Sequence, residues 1–270
     1  MREACIQICQ SLSLREQCVC IHASMRAAGF AALRAEALLD ALLSLGNTVL
    51  VPTFSDAYAA KPIASAHIAQ NGWDFAPSDD ASNAGVPVFT PDSLELDRTD
   101  MGAFADCVLH HPAHVRGHHP LNSFTAVGPQ AGILAHAQQP MDVYAPLRVL
   151  MAEKGRILLW GTTLQSCTGL HLSEQLAGRR SFLRWAKDTD GQIVEVQAGG
   201  CSRSFEDAFA ALLSPLCTQI VFGSAVVRCY PADALIRRAA THIRQTPAIT
   251  HCGRPDCARC RDAVLGGPLV

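Results

Sequence analysis

Continuous apolar runs alternate along the chain with segments in which apolar side chains recur at helical spacing. The runs occupy residues 18–23, 48–51 and 156–160, and such runs are typical of strands buried on both faces. Leucines recur every three to four positions over residues 33–45, which predicts an amphipathic helix that ends before Gly46. Strand, helix and strand in this order predict a parallel βαβ unit with a right-handed crossover.

The rest of the chain predicts the same alternation. Residues 52–102 are the exception: they carry five prolines and weak periodicity, and so long an irregular stretch inside a domain is usually functional. The pattern predicts an α/β fold with a mixed, largely parallel central sheet flanked by helices on both faces. Further helices are predicted near residues 1–17, 102–111, 128–136, 147–154, 168–177, 205–213 and 231–244, and further strands near 123–127, 181–186, 192–197 and 219–229.

Composition narrows the class of protein. Hydrophobic residues make up 49% of the 270 residues and charged residues 17%, which excludes a disordered chain. The formal net charge of -2, without basic runs, predicts no nucleic-acid partner. Neither an apolar stretch of membrane-spanning length nor a signal sequence is visible, so the sequence predicts a cytoplasmic protein without a membrane partner.

The twelve cysteines divide into two groups. Nine are scattered among apolar neighbours and are expected to be reduced, mostly buried thiols. The last three, Cys252, Cys257 and Cys260, have the spacing Cys-x4-Cys-x2-Cys in a tail, residues 246–270, that follows a single predicted domain over residues 1–245. They could be ligands of a structural zinc ion, with a fourth ligand from elsewhere, or free thiols. The candidates for that fourth ligand are Cys201 and Cys229.

The segment after the strand at 156–160 is the first candidate for chemistry. It leads into a predicted helix on which His171 and Glu174 are three residues apart and share a face. Ligands of α/β sheets gather at the carboxyl ends of strands, and a carboxylate beside an imidazole suits a general base. An exposed ion pair on a solvated helix face would have the same spacing.

A second candidate is the histidine-rich segment 110–119, which contains five of the 11 histidines. It could supply metal ligands, because imidazole is a common ligand. The segment holds neither carboxylate nor cysteine, and Pro112 and Pro120 break any helical register. A rigid loop that carries one or two functional side chains is therefore favoured over a metal site.

Several motifs occur together and in order. They are Ile21-His22-Ala23-Ser24-Met25, Val51-Pro52-Thr53-Phe54-Ser55, Arg116-Gly117-His118-His119-Pro120-Leu121-Asn122-Ser123, Gly128-Pro129, Leu158-Leu159-Trp160-Gly161 and Thr168-Gly169-Leu170-His171-Leu172-Ser173-Glu174. With these motifs the chain resembles the aminoglycoside 3-N-acetyltransferases, also called antibiotic N-acetyltransferases, from about residue 18 to about residue 245. The resemblance implies an α/β/α sandwich distinct from the common small N-acetyltransferase fold.

The resemblance also implies a reaction, the transfer of an acetyl group from acetyl-CoA to a primary amine of an aminoglycoside or a related small molecule. His171 would be the general base, Glu174 would orient it, and the turn at Thr168 would stabilise the oxyanion. Antibiotic resistance and natural-product biosynthesis are both compatible with such a reaction. The residues that the resemblance places near the coenzyme are Ser24, Met25, Arg116, His119 and Ser123, with Arg116 as the phosphate partner.

Some positions depart from the family pattern. Ala23 stands where the family often has a serine, Gly117 follows Arg116 in place of serine, and Leu121-Asn122 replaces Thr-His. A polycationic acceptor would favour carboxylates, and the candidates are Asp56, Asp74, Asp188, Asp190, Glu206 and Asp207.

Three further questions stay open at this point. The alternatives to an acetyltransferase are a metal-dependent hydrolase that uses the 110–119 segment and a non-catalytic binding module of the same fold. Direct transfer is favoured over an acetylated Cys167. Monomer and dimer are both possible.

Overall fold

The computed structural model describes residues 2–26, 35–62, 68–73 and 83–269. The strands in these ranges are β1 (Cys18–Ala23), β2 (Thr48–Pro52), β3 (Ala59–Ala60), β4 (Val115–Arg116), β5 (Phe124–Val127), β6 (Arg156–Trp160), β7 (Phe182–Lys187), β8 (Ile193–Ala198), β9 (Thr218–Phe222) and β10 (Ala225–Pro231). The helices are α1 (Arg2–Ser11), α2 (Ala35–Ser44), α3 (Arg98–Leu109), α4 (Ala131–Ala135), α5 (Ala145–Ala152), α6 (Gly169–Leu176), α7 (Phe205–Leu213), α8 (Ala232–Gln245) and α9 (Ala258–Val264).

Seven strands form the central sheet in the order β4-β5-β2-β1-β6-β10-β9. β1 lies between β2 and β6 and is parallel to both, in the registers Val19↔Val49 and Val19↔Arg156. The outer pairings are antiparallel, so that five of the seven strands run in one direction. The predicted mixed, largely parallel sheet and the βαβ unit from β1 to β2 are therefore confirmed.

Successive side chains of the central strands enter two separate cores. Cys20 of β1 packs with helices α4 to α8 on one face, whereas Val19 and Ile21 pack with α1, α2 and α3 on the other. This alternation follows from the period of two along a strand. It explains why the strands are apolar throughout, since neither face meets water. Among the described residues, no helix has the length and apolar character needed to cross a membrane.

A second sheet, β3-β7-β8, is antiparallel and smaller. It covers a satellite core of Tyr58, Phe89, Leu121, Ala186 and Val196. Tyr58 and Phe89 belong to the irregular stretch after β2, and their rings meet edge to face at 5.2 Å. The described part of that stretch is therefore held by packing of its own.

Two of the differences from the sequence prediction occur at glycines. The single strand predicted at 219–229 is a hairpin of β9 and β10, because Gly223 adopts a positive φ of 61° and reverses the chain. Helix α3 begins at Arg98, four residues earlier than predicted. Gly102 interrupts α3 with φ 83° and ψ 172°, so its two parts point in different directions.

The C-terminal segment after α8 packs against the domain. The Gly72 amide donates to the buried carboxylate of Asp262 at 2.8 Å. Arg180 donates its backbone N–H to Gly266, and Leu269 pairs with Ala69. These contacts place residues 246–269 against the loop after α6 and beside the second sheet.

Candidate active site

A cleft of about 920 Å³ opens at the carboxyl ends of β1, β2 and β6, where α/β sheets bind ligands. Its walls are the segment after β1, the first part of α3 and the turn between β6 and α6. The interruption of α3 at Gly102 lies on this wall, with the Cβ position of Gly102 3.4 Å from the carbonyl oxygen of Ala23. The cleft is thus built where sequence reasoning placed the chemistry.

His171, which lines the cleft, forms a hydrogen-bonded pair with Glu174. The first turn of α6 brings His171 Nδ1 to 2.7 Å from Glu174 Oε2, and both side chains are nearly nine-tenths buried. Because a carboxylate only accepts, Nδ1 carries the proton and Nε2 carries the lone pair. His171 lines the cleft, so this lone pair is the basic atom available there.

Arg179 completes the contacts of the carboxylate. Its guanidinium donates to Glu174 Oε1 at 2.5 Å and to Thr250 Oγ1 at 2.7 Å, and its other terminal nitrogen donates to the Pro247 carbonyl. Both oxygens of Glu174 are therefore engaged. Arg179 lies three residues beyond the end of α6 and was not selected from the sequence. The one sequence feature that could have indicated it is its place five residues after the candidate carboxylate of Glu174.

Three further residues pack against the His171 ring. The Tyr144 ring lies nearly parallel to it at 6.3 Å, and the Phe205 ring lies at 4.9 Å. Gly199 packs on its edge, so closely that a Cβ there would lie 3.3 Å from His171 Cδ2 and 2.8 Å from the Tyr144 hydroxyl. The imidazole is fixed by packing as well as by Glu174.

Two cleft residues flank the base. Thr168 lies at the start of α6, and its hydroxyl makes no hydrogen bond to the described residues. Cys167 also lines the cleft, yet only 1% of it is exposed, and burial raises the pKa of its thiol to about 12. A neutral thiol is a poor nucleophile, so this environment does not favour an acetylated cysteine.

Ser24 and Met25 lie on the cleft wall directly after β1, as the sequence predicted for coenzyme contacts. Two arginines that the sequence reasoning did not select lie there as well. Arg26 is exposed, and Arg98 is exposed and weakly paired with Asp106 at 3.4 Å. The signal for Arg26 was its place two residues after Ser24.

The structure does not bring Arg116 to the cleft, which departs from its predicted role as phosphate partner. Only 1% of Arg116 is exposed. Its guanidinium donates to the hydroxyl of Ser123 and to three backbone carbonyls, so four of its five N–H groups are engaged inside the protein. The three carbonyls belong to Thr53, Ser93 and Glu95. Arg116 therefore fastens the irregular stretch to the ends of β2 and β5.

His119 and Ser123 are also interior residues, away from the cleft. His119 Nε2 donates to the Gln197 carbonyl at 2.7 Å, and its Nδ1 accepts two backbone N–H groups. Burial lowers the pKa of His119 to about 4 and keeps it neutral. Ser123 accepts from Arg116 and donates to Thr53. We call residues 116–123 the His-Pro loop; its motif side chains stabilise the fold.

The histidines of segment 110–119 do not converge. His110 contacts Asp106, His114 contacts the backbone of His111, and His118 faces His136. In the ranges that the structure covers, the one set of three or more potential metal ligands within reach of a common ion is Cys201, Cys252, Cys257 and Cys260. This segment therefore offers no ligand cluster for a metal-dependent hydrolase. Of the two candidates for a fourth cysteine ligand, Cys201 lies with the three tail cysteines, whereas Cys229 lies in β10 and is not part of the cluster.

The acidic residues proposed for acceptor binding lie elsewhere. Of the five that are described, none lines the cleft. Glu206 is paired with Arg228 at 2.8 Å, and Asp188 caps the turn between β7 and β8. Asp74 falls outside the described residues. The cleft contains one acid that the sequence reasoning did not single out, Asp100.

Comparison with known proteins gives a consistent picture. The family model described as aminoglycoside 3-N-acetyltransferase matches residues 20–244. A curated relative, aminoglycoside N(3)-acetyltransferase IX of Micromonospora chalcea, is 32% identical over 180 residues, which are 60% of this chain and 57% of the relative. The match thus spans little more than half of that relative.

Solved structures agree in fold. AAC-IIIb in a binary complex with CoASH has a TM-score of 0.74 at 21% identity, over 91% of this chain and 96% of its own. A histidine-to-alanine mutant of AAC(3)-IVa in complex with a gentamicin has a TM-score of 0.70 at 22% identity, over 98% of this chain and 96% of its own. At these identities the likeness concerns the fold.

Proposed function

Because the chain belongs to the aminoglycoside 3-N-acetyltransferase family, we propose that it transfers an acetyl group from acetyl-CoA to a primary amine of an aminoglycoside or a related small molecule. The observation that carries the proposal is the His171–Glu174 pair, whose histidine lines a cleft at the carboxyl ends of the central strands. The bound CoASH and gentamicin of the two structural neighbours support the choice of substrates.

His171 is the general base of the proposed reaction. A protonated amine has no free electron pair, so Nε2 must remove a proton before the nitrogen can attack. Glu174 accepts from Nδ1 and stabilises the imidazolium that forms. Arg179 prevents Glu174 from turning away, because it engages the second carboxylate oxygen.

The attack forms a C–N bond at the thioester carbonyl and places a negative charge on its oxygen. The Thr168 hydroxyl is the proposed donor to this oxyanion, because it lines the cleft beside His171. Collapse of the tetrahedral intermediate breaks the C–S bond, the proton held by His171 passes to the leaving thiolate, and the nitrogen, now bonded to the acyl carbon, releases its second surplus proton to solvent. The products are the N-acetylated amine and coenzyme A, and no acyl group is transferred to Cys167.

The coenzyme is proposed to lie against the segment after β1. Ser24 and Met25 would contact the pantetheine, and Arg26 and Arg98 would pair with the phosphates, because both are exposed cations on the cleft wall. Asp100, on the same wall, would attract a cationic acceptor.

The proposal includes a structural zinc ion at the four cysteines, outside the reaction itself. Four cysteine ligands leave no open position for a substrate, which is the pattern of structural rather than catalytic zinc sites.

The test is thiol release from acetyl-CoA in the presence of a panel of amines, among them gentamicin and small aliphatic amines. We expect amine-dependent release by the wild type and a fall of about 10²–10⁴-fold in kcat for His171→Ala. His118→Ala, at an exposed histidine outside the cleft, should remain fully active. Undiminished turnover by His171→Ala would contradict the role of the base.

A further inference from the structure

Four cysteine side chains from two distant parts of the chain meet in one place. The Sγ atoms of Cys201, Cys252, Cys257 and Cys260 all lie within 4.8 Å of one another, and all four are free thiols. Thiolates bound to zinc at about 2.3 Å stand roughly 3.8 Å apart, at the corners of a tetrahedron. Small side-chain movements would therefore close the cluster on an ion.

The surroundings of the cluster suit such an ion. Gly253, with φ 79°, turns the chain between the first two ligands of the tail, and the Cys252 N–H lies 3.4 Å from Cys260 Sγ, as a donor to a thiolate would. Zinc with four thiolates carries a net charge of about -2. Four arginines lie within two residues of the ligands in the sequence, namely Arg203, Arg254, Arg259 and Arg261, and of these Arg261 is paired with Asp262.

The first of the two segments that meet at the cluster also packs against the catalytic histidine. Cys201 follows Gly199, whose backbone lies on the edge of the His171 ring, and precedes Phe205, whose ring lies 4.9 Å from the imidazole. Ser202, the neighbour of Cys201, lines the cleft. A displacement of Cys201 would therefore move residues that pack against the His171 ring.

The second segment reaches His171 through hydrogen bonds. Cys260 Sγ lies 3.9 Å from the carbonyl oxygen of Thr250, a residue that is 3% exposed. The hydroxyl of Thr250 accepts from Arg179, which holds the outer oxygen of Glu174. The carbonyl of Thr250 accepts from Ser204 at 2.7 Å and joins the two segments a second time.

We infer that Cys201, Cys252, Cys257 and Cys260 bind one zinc ion and that this ion positions His171, through Gly199 and Phe205 on one side and through Arg179 and Glu174 on the other. Arg179 is thus a positioning residue that acts on the base through Glu174. The inference takes its kinetic readout from the proposed acetyl transfer.

The first measurement is the metal content of the full chain, purified with added zinc and then dialysed. We expect about one zinc per chain for the wild type and for the control Cys107→Ser, which changes a half-buried cysteine of α3 outside the cluster. Cys257→Ser should retain less than a tenth of that. Absence of bound metal from the wild type, or iron in place of zinc, would overturn the zinc site.

The second measurement separates positioning from stability. Removal of zinc, by Cys257→Ser or by a chelator, should lower kcat roughly tenfold while KM for acetyl-CoA stays constant, and zinc added back to the stripped wild type should restore kcat. Arg179→Gln keeps all four ligands and should show the same loss with full zinc content, and Arg179→Lys should recover part of it. An unchanged kcat in zinc-free protein that retains its circular dichroism would overturn the positioning.

The third measurement does not depend on the reaction. The NMR signals of the ¹⁵N-labelled His171 ring, assigned with His171→Ala, should shift between zinc-loaded and zinc-stripped protein and in Arg179→Gln. If no amine is acetylated by the zinc-loaded wild type, the proposed function fails, and these signals still test the inference. Ring signals that are identical with and without zinc would contradict it.

Discussion

The His-Pro loop and the first turn of α6 each present a histidine within a motif of the same family, but the two histidines differ in how their nitrogens are used. Both nitrogens of His119 are bonded to backbone groups, and the residue has no exposed surface. His171 uses Nδ1 for Glu174, and its ring lines the cleft. The difference shows that a motif residue can stabilise the fold or perform chemistry, and that the partners of each ring nitrogen distinguish the two.

The largest expected effect concerns the His-Pro loop. Arg116→Met removes the donors of three carbonyls and a hydroxyl inside the protein, and we expect the free energy of unfolding to fall by about 3–5 kcal/mol. Denaturant unfolding measures this loss. Arg237→Met, which breaks an exposed pair with Asp233, should cost less than about 1 kcal/mol. Equal losses of unfolding free energy in the two variants would contradict the structural role of Arg116.

The next effect is a pH dependence of stability. The unfolded chain protonates His119 near pH 6.5, whereas burial lowers the pKa in the folded state to about 4. The unfolded state therefore binds more protons between these values, and stability falls as the pH drops from 6.5 to 4, by about 3 kcal/mol from this residue. His119→Gln should show a shallower decline in urea unfolding over this range. His118→Gln, an exposed neighbour, should keep the wild-type slope, and an unaltered slope in both variants would contradict the assignment.

A smaller effect tests the packing around His171. Gly199→Ala places a Cβ 2.8 Å from the Tyr144 hydroxyl and 3.3 Å from the His171 imidazole. Both side chains must therefore shift. We expect kcat to fall roughly tenfold because misplacement of a catalytic group by a fraction of an ångström is costly. The adjacent Gly200→Ala meets only an ordinary contact of 3.4 Å and should remain active. Full activity of both variants would show that the ring tolerates movement.

The smallest effect is expected at Cys167, which lines the same cleft. Because its thiol stays neutral, Cys167→Ser should retain kcat within about threefold. Loss of activity, together with an acetylated wild-type enzyme trapped by mass spectrometry, would replace direct transfer with an acetyl-cysteine intermediate.

The sequence predicted the central strands well, because burial on both faces leaves an unbroken apolar signal in β1, β2 and β6. His171 and Glu174 were also predictable as a pair, since three residues on a helix set their distance. The interior role of Arg116 could not be predicted from the sequence, because its partners Thr53, Ser93 and Glu95 are distant in sequence. Cys201 was one of two candidates for a fourth cysteine ligand, and only the folded chain shows that Cys201, not Cys229, lies with the tail cysteines.

The position of β6 in the sheet has a consequence for the order of folding. β6 pairs with β1 in the register Val19↔Arg156, across 137 residues, and both strands end at the cleft. Pairings so distant in sequence close large loops and form slowly. Local helices can therefore appear early on a growing chain, while the cleft is assembled only after β6 has been synthesised and has docked beside β1. The cleft is in this sense a late feature of the domain, because it requires two strands that are distant in sequence.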